Sequence, residues 1–142
     1  MKVIAFLLAA WIAATAHAQL PAAELAVGMH RIRAEVANDM GARMQGLMRR
    51  KSMPQGSGMV FVFEENATHC MWMKNTLIPL SVAFVDAQGA IVNVADMQPH
   101  SEQSHCSTRP ARYALEMKQG WFREKGLKPG VKLRGIPGVA AN

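Results

Sequence analysis

From residue 30 to residue 134 the chain is divided into apolar runs of four to seven residues, each ended by a cluster of turn formers. Runs of that length suit strands and are too short for buried helices. His30-Arg31-Ile32-Arg33-Ala34-Glu35-Val36 and Arg112-Tyr113-Ala114-Leu115-Glu116-Met117 alternate polar and apolar residues, as half-buried strands do. Met59 to Phe63 is followed by a Glu64-Glu65-Asn66 turn and a second extended stretch, Thr68 to Lys74. Ser81 to Val85 and Ala90 to Val94 flank Asp86-Ala87-Gln88-Gly89, which reads as a hairpin turn. Lys128-Pro129-Gly130 marks a further turn before a last strand over Val131 to Arg134. The polar segments 51 to 58 and 97 to 110, with their prolines, read as loops.

One segment departs from this pattern. Asn38 and Asp39 offer an N-cap, Met40, Met44, Leu47 and Met48 recur at helical spacing, and Arg49, Arg50 and Lys51 gather where the helix dipole is negative. Gly41 and Gly46 lower the intrinsic helix propensity, so the methionine stripe is expected to hold this helix by packing into the core. The fold expected is mainly β, a compact sandwich or barrel with one short N-terminal helix and a short helical turn near the C-terminus over Trp121 to Lys125. There are no internal repeats and no low-complexity tracts.

The ends read differently. Lys2, the apolar run Val3 to Ala14 and the small-x-small triplet Ala16-His17-Ala18 form the pattern of a cleaved signal peptide over residues 1–18. The apolar run is well short of the roughly 20 residues that span hydrocarbon. The expected organisation is therefore a leader, a flexible lead over 19–28, one domain over 29–135 and a flexible tail over 136–142. Localisation is expected to be periplasmic or secreted, with no transmembrane segment once the leader is removed. The remaining chain of about 124 residues suits one domain.

Sixteen Lys and Arg against ten Asp and Glu give a net charge of +6, but the basic residues are dispersed. Dispersion favours attraction to an anionic envelope polymer or peptide over a sequence reader, and export separates the chain from nucleic acid. Cys70 and Cys106 are the only cysteines. In an oxidising compartment they are expected to form a disulfide closing a loop of about 36 residues, with a contribution of roughly 3 to 4 kcal/mol on the chain-entropy model.

The densest chemistry lies in His69-Cys70-Met71-Trp72-Met73-Lys74-Asn75-Thr76. In a strand, Trp72 and Lys74 share one face while Met71 and Met73 take the other, which sets an aromatic plate beside a cation. Asn75 and Thr76 add adaptable hydrogen bonds, so the surface suits a sugar or peptide, an anionic one by virtue of Lys74. Arg43, Arg49 and Arg50 add anion contacts if the helix end lies nearby. The competing, architectural reading makes Trp72 a core anchor, Asn75 and Thr76 turn caps, and Lys74 the partner of Glu116.

Four ordered blocks carry a resemblance. Arg43 to Arg50, Gly58 to Phe63, Trp72 to Leu80, and Arg112 to Glu116 with Gly120-Trp121 are similar to the DUF192 or UPF0127 domain of bacteria and archaea. The resemblance implies a single, mainly β domain with a short helix, commonly exported and without an established activity. Ser81 stands where the family's pattern after Pro-Leu has an aspartate, so no carboxylate role carries over to that position.

Other chemistries are less well supported by the residues. Soft sulfur ligands with His30, His69, His100 and His105 would suit Cu(I), and the alternative function is periplasmic copper or metal handling through His69, Cys70, His105 and Cys106. Bridged cysteines cannot supply thiolates, and no histidines fall at a tight zinc-type spacing. Ser81, Ser101, Ser104 and Ser107 lack a nucleophile elbow, the cysteines form no Cys-x-x-Cys pair, and Glu64 with Glu65 sits in a turn. No catalytic residue and no cofactor is assigned, and an enzyme remains the third reading. The preferred one is a binding or accessory module of the cell envelope with Trp72, Lys74, Asn75, Thr76, Arg50 and Glu116 as its ligand-binding candidates.

Overall fold

The computed structural model describes residues 19–139. The leader expected over 1–18 and the last three residues of the expected tail lie outside the described residues. Eight strands and two short helices follow in the order β1 (Ala22–Val27), β2 (His30–Ala37), α1 (Met40–Gln45), β3 (Ser57–Ala67), β4 (Cys70–Met71), β5 (Leu80–Val85), β6 (Ile91–Met97), β7 (His105–Cys106), β8 (Ala111–Lys118) and α2 (Trp121–Glu124). Among these residues no helix is long and apolar enough to cross a membrane.

Six strands form one sheet in the order β1-β2-β3-β8-β5-β6, and β4 pairs with β7 as a separate two-stranded ribbon. Neighbours in the large sheet are antiparallel except β2 and β3, which run parallel. A parallel pair needs a crossover, and here the crossover is the segment that carries α1. The sheet curls until its two edges meet at one end. Ala26 and Arg134 exchange backbone hydrogen bonds of 2.9 and 2.8 Å, while the Leu133 N–H donates to the Gly89 carbonyl and the Ile91 N–H to the Val131 carbonyl. The expected strand at 131–134 is thus an extended segment with isolated bridges to Ala26 and Ala90 that zips the wall into a barrel-like form.

Because side chains alternate along a strand, each strand feeds two cores. On the closed face, Ile32, Val60, Ala83, Val85, Tyr113 and Leu115 pack with Trp121 and Phe122 of α2 and with Leu133 and Ile136. On the opposite face, termed here the motif face, Met59, Phe61, Leu80, Val82, Phe84 and Ala114 pack beneath Leu47, Met53, Met73 and Ile78. β5 is covered on both sides, and all six of its residues are buried. That explains its continuous apolar run.

Three expectations are corrected. The lead assigned to 19–28 contains β1, whose Leu25 and Val27 are buried, so the domain begins earlier. The tail assigned to 136–142 begins with buried Ile136, and Val139 packs on the closed core. Of the expected stripe, Leu47 enters the core just beyond α1 and Met48 is half-buried, but Met40 and Met44 stay exposed, and α1, with six residues, has none buried. Six residues make less than two turns, too little to present an apolar stripe to a neighbour while Gly41 and Gly46 weaken the ends.

Candidate functional site

The β2 to β3 crossover lays α1 across the motif face. Asp39 caps the helix by accepting from the Ala42 N–H at 2.8 Å. Gly46 ends it at a positive φ of 47°, which favours glycine, and lies directly against Phe61, where a Cβ would stand 3.2 Å from the ring. The opposite wall is β4 and the turn that follows. The strand expected over Thr68 to Lys74 is regular only at Cys70–Met71, and the chain then turns over Lys74 and Asn75.

That turn is fixed by backbone bonds from two other segments. The Arg49 N–H donates to the Asn75 carbonyl at 2.8 Å, the His100 N–H to the Thr76 carbonyl at 3.0 Å, and the Met73 N–H to the Ser101 carbonyl at 2.9 Å. Arg49, Asn75 and His100 are the three non-glycine residues with positive φ among the described residues, at 62°, 54° and 63°. Each such residue costs on the order of 1 kcal/mol or more, and such conformations concentrate where a surface is held in a set shape. Here all three converge on one turn.

Between the walls lies an open groove of about 540 Å³, with Phe61 and Phe63 among its lining and Met40, Met44, Met48 and Met71 contributing thioethers. Met40 is 68% exposed, Met44 70% and Trp72 47%, so the groove presents apolar surface to solvent. Lys74 Nζ sits 5.2 Å from the Trp72 ring centroid in a cation–π arrangement, and it lies 3.8 Å from the Glu102 carboxylate. Arg43 donates to the Val62 carbonyl at 3.0 Å and to Glu64 at 3.3 Å. His69 stacks on Phe63 at 3.8 Å, with its Nε2 2.9 Å from the Glu65 carbonyl. Cys70 and Cys106 are bonded and directly paired in the β4–β7 ribbon, which ties the Cys70 wall to the 98–107 loop.

The structure brings Trp72, Lys74 and Asn75 together at the groove, with Trp72 and Lys74 exposed and Met73 buried between them. Three other candidates lie elsewhere or serve another end. Thr76 is buried and its hydroxyl donates to the Lys74 carbonyl at 3.1 Å, so it supports the turn. Arg50 points to β2 and makes a two-pronged ion pair with Glu35, which consumes its guanidinium away from the groove. Glu116 does not meet Lys74. It is 3% exposed on β8 between Met59 and Val82, and burial pushes its pKa up to about 8. No cation pairs with it among the described residues.

The metal alternative loses its thiolates, because both sulfurs are in the disulfide. Among the described residues no group of three or more His, Cys, Asp or Glu side chains is arranged to hold a metal ion. Ser81 is buried, donating to Asp96 at 2.5 Å and accepting from the Gly120 N–H at 2.9 Å, and so clamps β5 and β6 to the start of α2. Ser107 accepts from the His69 N–H in the β4–β7 region. The methionines of α1 were missed as groove residues. The available signal was the pairing of Met40 and Met44 on a segment with two glycines, too short and too weakly helical to be held by burial.

These features define a barrel-like β domain, built on a six-stranded sheet, with an apolar groove between a crossover helix and a disulfide-tied two-stranded ribbon. Residues 23–135 match the model of DUF192, a family described as uncharacterized, and the chain belongs to that family. No curated protein matches it significantly. It is similar to the crystal structure of a proposed transcription regulator from Sinorhizobium meliloti, with 34% identity, a TM-score of 0.81, and coverage of 84% of this chain and 97% of that one. It is also similar to a protein of unknown function from Novosphingobium aromaticivorans, with 29% identity, a TM-score of 0.78, and coverage of 89% and 99%.

Proposed function

We propose that this protein is an exported binding module of the cell envelope whose ligand seats in the groove between α1 and the Trp72 to Asn75 turn. One observation carries the reading: Met40, Met44 and Trp72 remain exposed around a floor of Phe61 and Phe63, although the same face buries Leu47, Met53 and Met73 completely or nearly so. Contiguous exposed apolar surface marks an interaction site, and unbranched thioethers suit a surface that adapts to its ligand. Export rests on Lys2, the apolar run to Ala14 and the Ala16-His17-Ala18 triplet.

The regulator role proposed for the Sinorhizobium protein does not suit this chain. Its described helices, of six and four residues, are too short to serve as recognition helices, and export would keep it from the chromosome. The test uses the mature protein with its disulfide intact, passed over immobilised envelope extract. The wild type is expected to be retained and Trp72→Ala to flow through while melting at an unchanged temperature. Equal retention of both proteins would remove the groove as the site.

A further inference from the structure

We infer that the groove takes a monomeric single-chain anionic amphiphile of the fatty-acid class, its tail over Phe63 and between Met40, Met44 and Trp72, and its carboxylate at Lys74. This inference rests on the groove being the ligand site. Size comes first: about 540 Å³ falls within the roughly 300–1,000 Å³ typical of small-molecule sites. Polar supply comes second. An extended peptide brings a donor and an acceptor at nearly every residue. The groove offers only a few partners, because Arg43 is held by Val62 and Glu64 and the Asn75 carbonyl by Arg49, which leaves the Asn75 side-chain amide and Lys74 at one end. An acyl tail asks for no hydrogen bonds along its length.

Charge decides the head group. Lys74 is exposed and stands at the outer limit of contact with Glu102, which is itself exposed, so that pairing is weak and exchangeable. The ammonium is nevertheless positioned at the groove wall by the Trp72 ring. A ligand carboxylate can therefore replace Glu102 without disturbing the fold. The apolar residues line a concavity, which suits a single tail.

The test is calorimetric titration of the disulfide-bonded mature protein with dodecanoate and dodecyltrimethylammonium below their micelle concentrations and with dodecanol below its solubility limit. Dodecanoate is expected to bind about fivefold tighter than dodecanol, and the cation more weakly than either. Lys74→Ala should erase the difference between dodecanoate and dodecanol, while Met44→Gln should weaken both. Shortening the carboxylate should cost roughly three- to fourfold per methylene removed.

Equal binding of all three probes would overturn the anionic head group but leave the groove as the site. If none binds while Trp72→Ala still loses retention on envelope extract, the ligand class is wrong and the groove stands. If none binds and Trp72→Ala is retained, the groove itself is wrong. Binding to anionic phospholipid vesicles without binding to monomeric dodecanoate, or displacement only by an acidic amphipathic peptide, would also overturn the inference.

Discussion

The two faces of the sheet are buried by different means. The closed face is covered by chain that continues directly from β8, through Trp121, Phe122, Leu133 and Ile136, and its edges are joined by backbone hydrogen bonds near Ala26 and Gly89. The motif face is covered by three separate excursions, around Leu47, Met73 and Ser101, held together by a few backbone bonds at left-handed residues and by the Cys70–Cys106 disulfide. The first arrangement packs nearly all its large apolar groups away from water. The second leaves Met40, Met44 and Trp72 exposed beside a fully buried Met73. A face assembled from independent segments can leave large apolar side chains exposed around a concavity, whereas the continuous cover buries Trp121 and Phe122 in its core.

The largest expected effect tests the closed face. Phe122→Ala removes a fully buried ring from that core and should cost about 3–5 kcal/mol in urea unfolding. A loss below about 1 kcal/mol would mean that the closed face is not where stability resides.

The disulfide comes next. Replacing both Cys70 and Cys106 by serine opens a loop of 36 residues and should cost about 3–4 kcal/mol on the chain-entropy model. Hydrogen exchange should speed up selectively around residues 70–79 and 98–107, while β3, β5 and β8 stay protected. Uniform loss of protection would erase the distinction between the faces.

Glu116 lies beneath the motif face and gives that face a pH dependence. Below about pH 4.5 its carboxyl is protonated in both folded and unfolded chains, so its burial carries no charge penalty. Between 4.5 and about 8 the unfolded chain releases the proton and the folded chain keeps it, so stability falls as pH rises. Above about 8 the penalty is fully present, on the order of a few kcal/mol. Glu116→Gln should lack this slope, and its melting temperature should exceed the wild type's by more at pH 8 than at pH 5. Parallel curves would show that Glu116 is ionised in the fold and has a partner.

Sequence periodicity disclosed the framework but not the groove. β2, the β5–β6 hairpin and β8 were legible because alternation or a continuous apolar run, bounded by Asp86 to Gly89 and similar turns, follows from strand geometry alone. β1 was overlooked because Ala22, Ala23 and Ala26 give a weak apolar signal, although Gly28-Met29 is a two-residue turn with glycine at positive φ. The disulfide was expected from the two cysteines and the expected export, and the structure pairs them. Trp72, Lys74 and Asn75 were found as a chemical cluster, but Glu116 and Arg50 were misplaced because their partners depend on tertiary position: β8 sits between β3 and β5, and Arg50 returns to β2. The helix methionines were assigned to a core that α1 meets through Ala42 instead, leaving Met40 and Met44 outward.

The smallest expected effect on stability bears most directly on that last point. Met40→Gln combined with Met44→Gln replaces two exposed side chains on α1 with residues of nearly equal helix propensity, so unfolding free energy should move by no more than about 0.5 kcal/mol. The Asp39 cap and the Gly46 contact with Phe61 are untouched, and the groove keeps its shape while losing two thioethers from one wall. Retention on envelope extract should fall sharply even though the melting temperature hardly changes. A fall in stability of about 2 kcal/mol or more would instead place both methionines in the packed core, and the contrast between the two faces would no longer locate a site.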